Sequence, residues 1–298
     1  MTISFKTALA TAAGLALLAA PLAASAHRAW FAPTATNFSG DDPWVSVDAA
    51  ISNDLFYPDH FPMQLGNVKA IGPAGEELKI ENAVTGRYRS TFDVHLTAPG
   101  TTRVVTLSNG VQGTYAVDGK TYRIGGRRGG PAPAAGAAAP APPPPEPGRP
   151  APPLPGVADV SQIPANATEI KLVQTSSRNE TYVTRGAPTS AKLTLVGLEL
   201  AEAGVHPTDL VADEPAAFKL LMDGKPAGGV EVTIAAANQK FSVPLPEQKI
   251  LTGADGVFKV TWPAAGFYWI SATATGAGTI PNATRRASYI ATLEVQRP

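Results

Sequence analysis

The sequence predicts an all-β protein built from two Ig-like β-sandwich domains. Short stretches of alternating apolar and polar residues recur along the chain, turn dipeptides separate them, and no stretch after residue 26 has the sustained periodicity of a capped helix. The 298 residues are enough for about two domains with their own cores. The 24 basic residues balance the 24 acidic ones, and cysteine is absent. This composition gives no basis for nucleic acid as a partner, and it excludes disulfide scaffolds, thiolate metal sites and cysteine nucleophiles.

The first 26 residues are typical of a secretory signal peptide. Lys6 precedes an Ala/Leu-rich apolar stretch over residues 7–20, and the triplet Ala-Ser-Ala that ends at Ala26 fits a cleavage site. The apolar stretch is too short to cross a membrane, and no later segment is long enough. We therefore expect export to the bacterial periplasm, cleavage before His27 and no membrane insertion of the mature chain.

The first predicted domain covers residues 27–198. Its strands are predicted at Trp44–Ala50, Thr91–Thr97, Arg103–Ser108, Gly113–Val117, Thr121–Ile124, Glu169–Thr175 and Glu180–Thr184. The dipeptide Asp118-Gly119 is a strong signal for a hairpin turn between two of these strands.

A proline-rich tract over residues 125–156 interrupts this domain. It contains 7 Gly and 12 Pro in 32 residues, a composition that predicts a disordered or polyproline-like segment without a core. We interpret the tract as an insertion within the first domain, because the strands that follow it are not needed by the second. The simpler alternative, a linker between the two domains, stays open.

The second predicted domain, residues 199–298, has the more regular pattern. Its strands recur at the 8–12-residue spacing of a sandwich. They are predicted at Ala216–Met222, Gly229–Ala235, Lys249–Thr252, Val257–Trp262, Gly266–Thr273 and Ser288–Val295.

Cleavage before His27 would place a free amine and an imidazole on one residue. The amine nitrogen and Nδ1 can chelate a metal ion together, and the amine titrates near pH 8, so a divalent ion can displace its proton at neutral pH. Copper(II) and nickel(II) favour such nitrogen-rich sites. The alternative is that a histidine follows the cleavage site by chance.

Three other histidines occur in the chain. His60 lies in an aromatic, proline-bounded loop with Asp54 and Asp59, where a carboxylate can orient the imidazole or bind metal with it; an ordinary sandwich loop is the equal alternative. His206 lies at the predicted domain junction, as a turn residue or as a ligand in an interdomain cleft. His95 alternates with core residues, which predicts a solvated strand position.

No sequence motif argues for an enzyme. Nucleophile elbows, phosphate-binding glycine loops, His-Glu-x-x-His and dinucleotide fingerprints are all absent. A terminal histidine with a second histidine could form an oxidative copper site, but such enzymes also present a substrate face, which the sequence does not reveal.

Several motifs together resemble a bacterial periplasmic family of unknown function that was once described as the substrate-specific component of nickel uptake. The motifs begin at the mature N-terminus and continue through nearly the whole mature chain except the proline-rich tract. They are His27-Arg28-Ala29-Trp30-Phe31, Asn53-Asp54-Leu55-Phe56-Tyr57 with Asp59-His60, Glu180-Thr181-Tyr182-Val183-Thr184, His206-Pro207 with Leu210, Asp223-Gly224-Lys225-Pro226 and Ala254-Asp255-Gly256.

The resemblance implies an exported two-domain β-protein linked to transition-metal uptake or handling, often alongside outer-membrane receptors. It places the family's histidines at His27, His60 and His206 and says nothing for His95.

The main hypothesis is therefore a non-enzymatic periplasmic accessory protein that binds nickel or copper, and zinc less selectively, through His27, His60 and His206. Its expected partners are the metal ion and a membrane transporter or outer-membrane receptor. The alternative is an Ig-like interaction or structural module of the envelope that binds no metal and uses exposed aromatic residues such as Trp30, Trp44, Phe56 and Tyr57.

Overall fold

A computed structural model describes residues 27–125, 156–237 and 245–298. The predicted signal peptide (1–26) and residues 126–155 of the proline-rich tract lie outside these ranges, so both predictions stay open. The described residues contain strands and two short 3₁₀ turns, Leu65–Asn67 and Val160–Gln162, but no α-helix. Within them, no helix is long and apolar enough to cross a membrane.

The first eight strands come from the N-terminal part of the chain. They are β1 (Arg28–Pro33), β2 (Asn37–Phe38), β3 (Trp44–Ser52), β4 (Phe61–Pro62), β5 (Val68–Ile71), β6 (Glu77–Leu78), β7 (Ile80–Thr85) and β8 (Ser90–His95). Two long strands and two shorter ones follow: β9 (Gly100–Val117), β10 (Lys120–Ile124), β11 (Gly156–Val157) and β12 (Thr168–Arg185).

The C-terminal part adds nine more strands to the described fold. They are β13 (Leu198–Glu202), β14 (Leu210–Val211), β15 (Pro215–Met222), β16 (Lys225–Pro226), β17 (Glu231–Ala236), β18 (Gln248–Leu251), β19 (Val257–Thr261), β20 (Gly266–Ala277) and β21 (Ala283–Gln296).

These strands form three sheets. The N-terminal sheet has the order β1-β3-β8-β7, with β4 paired to β3. The central sheet has the order β11-β10-β9-β12-β21-β20-β17-β18 and also takes up β2, β5, β6 and β14. The C-terminal sheet contains β13, β15, β16 and β19.

The central sheet is covered on both faces. Along β20, Tyr268 and Ile270 belong to the large core that the central sheet shares with the C-terminal sheet. Trp269 lies between them in sequence and, because side chains alternate along a strand, points to the opposite face. There it packs in a cluster with Trp30 of the N-terminal sheet. The result is a three-layer β-sandwich, which confirms the predicted all-β sandwich class and shows that the two sandwiches share their middle sheet.

In two places, a pair of strands that we predict separately is one continuous strand. Both members of the first pair lie in β9, and both members of the second pair lie in β12. β9 runs through Asn109-Gly110 without a turn, because β12 pairs with it from Lys171 to Arg185 and holds it extended. The predicted hairpin at Asp118-Gly119 is confirmed: the two residues have φ of 49° and 73° and connect β9 to β10.

β12 connects the two halves of the chain. It pairs antiparallel with β9 on one side and parallel with β21, the last strand of the described fold, on the other. The domain boundary that we predict after residue 198 falls at the start of β13, whereas the central sheet contains strands from both sides of it.

A charged group, which we call the ion-pair cluster, is buried near β12 and β13. It consists of Arg103, Arg178, Glu180 and Glu199, each at most 6% exposed in its side chain. Arg178 Nη2 lies 3.0 Å from Glu199 Oε1, and Arg178 Nη1 lies 3.4 Å from Glu180 Oε2. The two positive and two negative charges balance, which is the condition under which such charges tolerate burial.

Candidate metal centre

The imidazole rings of His27 and His60 lie against each other at the end of β3. His27 directly precedes β1 and His60 directly precedes β4, and β1 and β4 pair with β3 near the same end. The two ring centroids are 3.8 Å apart and the ring planes differ by 6°. His27 is exposed and His60 is half-buried. We call these two residues the histidine pair.

The loop that carries His60 is anchored to the core. Trp30, which is 1% exposed, donates a hydrogen bond from Nε1 to Ser52 Oγ at 2.7 Å, and Ser52 Oγ donates to the carbonyl oxygen of Asp54 at 2.6 Å. Phe56, at a φ of 60°, places its ring 5.5 Å from Trp30 and 5.8 Å from Phe267. The loop therefore packs through the half-buried Phe56 against the buried Trp30.

Asp59 orders the same loop. Its Oδ1 accepts a hydrogen bond from the backbone N–H of Asn53 at 2.9 Å. Its slight burial acts to raise the pKa of this carboxyl, but the hydrogen bonds from the backbone and side chain of Asn53 act against it, and the net pKa is lowered. The carboxylate thus links Asp59, next to His60, to Asn53 at the start of the loop.

Arg28 ties the start of β1 to the central sheet. Its guanidinium lies 2.5 Å from Glu247 Oε1 and 5.1 Å from the centroid of the Trp269 ring. Trp269 Nε1 donates to the carbonyl oxygen of Ala29 at 2.9 Å. The backbone next to His27 is consequently tied to the central sheet as well as to β3 of its own sheet.

His206 is buried in a group of threonines. Its Nδ1 accepts a hydrogen bond from the backbone N–H of Thr208 at 3.1 Å. The proton of the neutral ring is then on Nε2, which lies 3.2 Å from the carbonyl oxygen of Thr189 and 3.1 Å from Thr101 Oγ1. Burial lowers the pKa of His206, although the nearby Glu202 carboxylate acts to raise it.

The structure brings His27 and His60 together and does not bring His206 to them. His206 contacts the hydroxyl of Thr208, and this hydroxyl is hydrogen-bonded to the hydroxyl of Thr184. The backbone N–H of Thr184 donates to the carbonyl oxygen of Thr36. Thr36 follows β1, whereas His27 precedes it. Since the six residues of β1 alone span about 20 Å, a single ion cannot reach both ends. Among the described residues, no three His, Asp or Glu side chains are grouped as a metal site would need.

His95 lies on the outer face of the N-terminal sheet. Its ring stacks on Trp44 with centroids 4.4 Å apart, and Nε2 pairs with the carboxylate of Asp42. Of the aromatic residues expected to be exposed, Trp44 and Tyr57 are 41% and 39% exposed, but Trp30 is buried. The anchoring role of Trp30 and Ser52 has no local sequence signal, because their contact depends on the pairing of β1 with β3.

A family model described as a domain of unknown function, DUF4198, matches residues 24–276. The chain belongs to this family. The match confirms the resemblance to a family of unknown function, and a role in nickel uptake stays a prediction. No curated protein matches the chain.

Three solved structures are similar over much of the chain. The D0–D1 domain of intimin has 12% identity and a TM-score of 0.20, covering 89% of this chain and 96% of that one. Trypsin-activated alpha-2-macroglobulin from Escherichia coli has 11% identity and a TM-score of 0.21, covering 89% and 15%. The Bacillus anthracis TIE protein has 9% identity and a TM-score of 0.16, covering 100% and 44%. At these TM-scores the likenesses carry no argument about function.

Proposed function

We propose that the protein is an exported, non-enzymatic accessory protein that binds a transition-metal ion, nickel or copper, for uptake or handling. The ligands in this proposal are the terminal amine and imidazole of His27 and the imidazole of His60. The observation that supports it is the 3.8 Å distance between the two ring centroids, which brings together two of the three histidines expected from the sequence.

His206 is not part of the proposed site. Both of its ring nitrogens are engaged by backbone groups, and it lies beyond the opposite end of β1. The site therefore has three nitrogen ligands from two residues, and water or a partner protein would complete the coordination. Nitrogen donors of this kind suit copper(II) and nickel(II).

The stacked arrangement requires one ring to turn when an ion binds. An imidazole lone pair lies in the plane of its ring, and two parallel planes cannot both contain the ion. His27 is exposed and lies outside the strand pairing of β1, so its ring is the one expected to rotate. His60, on the anchored loop, supplies the fixed ligand.

Titration calorimetry with Cu(II), Ni(II) and Zn(II) tests the proposal on protein purified after export, its N-terminus first established by intact mass. We expect one ion per chain, with an affinity that falls at least tenfold for His60→Ala and for a chain that carries one extra residue before His27. His95→Ala, which removes a half-exposed ring elsewhere, should bind like the wild type. Equal affinities for all four proteins would exclude the site.

The second candidate is an envelope interaction module without a metal. The observation in its favour is the exposure of Phe61 and Tyr88, at 56% and 44%, in addition to Trp44 and Tyr57. The same titration separates the two candidates, because this module would release no heat with any of the three ions.

A further inference from the structure

A row of serines crosses the central sheet just beyond the area that the N-terminal sheet covers. The register pairs Ser108 of β9 with Ser177 of β12, and Ser177 with Ser288 of β21. The row lies on the same face as Ile290, which packs against the Trp30 cluster two residues further along β21. The three serines therefore mark the place where the cover of the N-terminal sheet ends.

The next row of the same face leads away from the covered area. It consists of Gly110, Thr175 and Arg286, paired across the same three strands. Since neighbouring strands are about 4.8 Å apart and the rows about 7 Å, the six positions form a floor of about 10 by 7 Å. Gly110 adds no side chain to this floor, and a cavity of about 400 Å³ lies over it. We call this cavity the hydroxyl trough.

The polar groups of the trough offer both donors and acceptors. Ser177 Oγ and Ser288 Oγ are 2.7 Å apart, so one hydroxyl donates to the other and one hydrogen of the pair remains for a ligand. Thr175 Oγ1 donates to the carbonyl oxygen of Gly110 at 3.2 Å, which leaves its lone pairs to accept. A ligand that carries hydroxyl groups of its own matches this arrangement.

Arg286 gives the trough its charge. It is exposed, and no carboxylate among the described residues pairs with it. The adjacent cavity, of about 620 Å³, differs in this respect: its Arg285 pairs with Asp223 at 3.0 Å, and Asp159 also lines it. Among the described residues that line the hydroxyl trough, none is acidic and Arg286 is the one arginine, so its guanidinium can pair with an oxyanion.

We propose that the hydroxyl trough binds a small phosphorylated or sulfated polyol. In this arrangement Arg286 pairs with the oxyanion, the serine pair donates the remaining hydrogen, and Thr175 accepts from a hydroxyl of the ligand. The site uses strands β9, β12 and β21, does not include the histidine pair, and needs no metal.

Calorimetric titration of the full exported chain with glycerol 3-phosphate tests this proposal, in chelator-containing buffer at constant ionic strength. We expect saturable binding with at least tenfold weaker affinity for Arg286→Gln, and no change for Arg87→Gln, an exposed arginine on the β7–β8 turn. Gly110→Val should also block binding by filling the floor. Its Cβ would lie 3.6 Å from Thr175 Oγ1, an ordinary contact, so the variant should fold.

Two further probes identify the source of the oxyanion. Inorganic phosphate tests the anion without the polyol and should bind more weakly than glycerol 3-phosphate. Phosphatidylglycerol vesicles test a lipid headgroup, and Arg286-dependent binding to them would assign the same chemistry to a membrane surface. The proposal is overturned if no probe binds below about 10 mM, or if Arg286→Gln and Gly110→Val leave the binding unchanged.

Discussion

The ion-pair cluster and the histidine pair are two polar groups in different environments: the first is buried, and the second lies at the surface. In the cluster, Arg178 and Glu199 are each 1% exposed in their side chains, and each finds its charge partner inside the protein. In the histidine pair, the rings of His27 and His60 stack on each other beside the C-terminal end of β3, where His27 is exposed and His60 is half-buried. Charges that are matched within the fold tolerate burial, whereas the two imidazoles lie at a solvent-facing edge, where the proposed ion would bind.

The substitution Glu180→Gln tests whether the ion-pair cluster is needed for stability, and we expect it to have the largest effect of the variants below. It leaves two buried arginines with one carboxylate, and breaking a buried pair costs about 3–5 kcal/mol. Urea unfolding should show this loss in the free energy of unfolding. Glu231→Gln is the matched control, because Glu231 pairs with Lys249 at the surface and should cost less than about 1 kcal/mol. Equal effects of the two variants would mean that the cluster is not structural.

Trp30→Phe probes the support of the histidine pair without touching either ring. It removes the hydrogen bond from Nε1 to Ser52 and leaves Ser52 Oγ less well satisfied in a buried position, at a cost of about 1–3 kcal/mol. If the anchored loop positions His60, the affinity for Cu(II) should fall together with the stability. An unchanged affinity in calorimetry would show that His60 is positioned independently of this anchor.

His206 is a buried histidine, in contrast to the histidine pair, and this difference can be measured in the pH dependence of the free energy of unfolding. Its pKa is lowered in the folded protein by burial, so the unfolded chain takes up a proton first as the pH falls. The stabilisation by the neutral ring is complete above the unfolded pKa of about 6.5 and is lost below it. Glu202 and Asp209 face the ring and reduce the effect.

His206→Gln should therefore unfold with a smaller loss of stability between pH 7 and pH 5 than the wild type does. Urea denaturation at several pH values measures both slopes. Identical slopes for wild type and His206→Gln would contradict the assignment of His206 as a buried neutral ring.

The fold was predictable where the signal is local. Alternating apolar residues indicate β8 and β15, and Asp118-Gly119 indicates the turn between β9 and β10. The parallel pairing of β12 with β21 joins residues about 110 positions apart, and nothing in either strand specifies its partner. The shared central sheet follows from that pairing, so two separate sandwiches were the natural expectation.

The candidate site divides in the same way. The aromatic loop that carries His60 was visible in the sequence, and its proximity to His27 arises because β1 and β4 both pair with β3. His206 has the same residue type and a similar loop context. Its threonine neighbours come from β9, β12 and the segment after β12, so its burial depends on tertiary contacts that the local sequence does not encode.

The position of β21 in the central sheet has a consequence for the order of assembly. This strand is the last of the described fold but lies between β12 and β20, in the interior of the widest sheet. Until residues 283–296 are available, β12 and β20 each have an unpaired edge, and the large core lacks the side chains that β21 contributes to it. A growing chain is thus kept from completing this fold until β21 has been synthesised, and such long-range pairing makes folding slow.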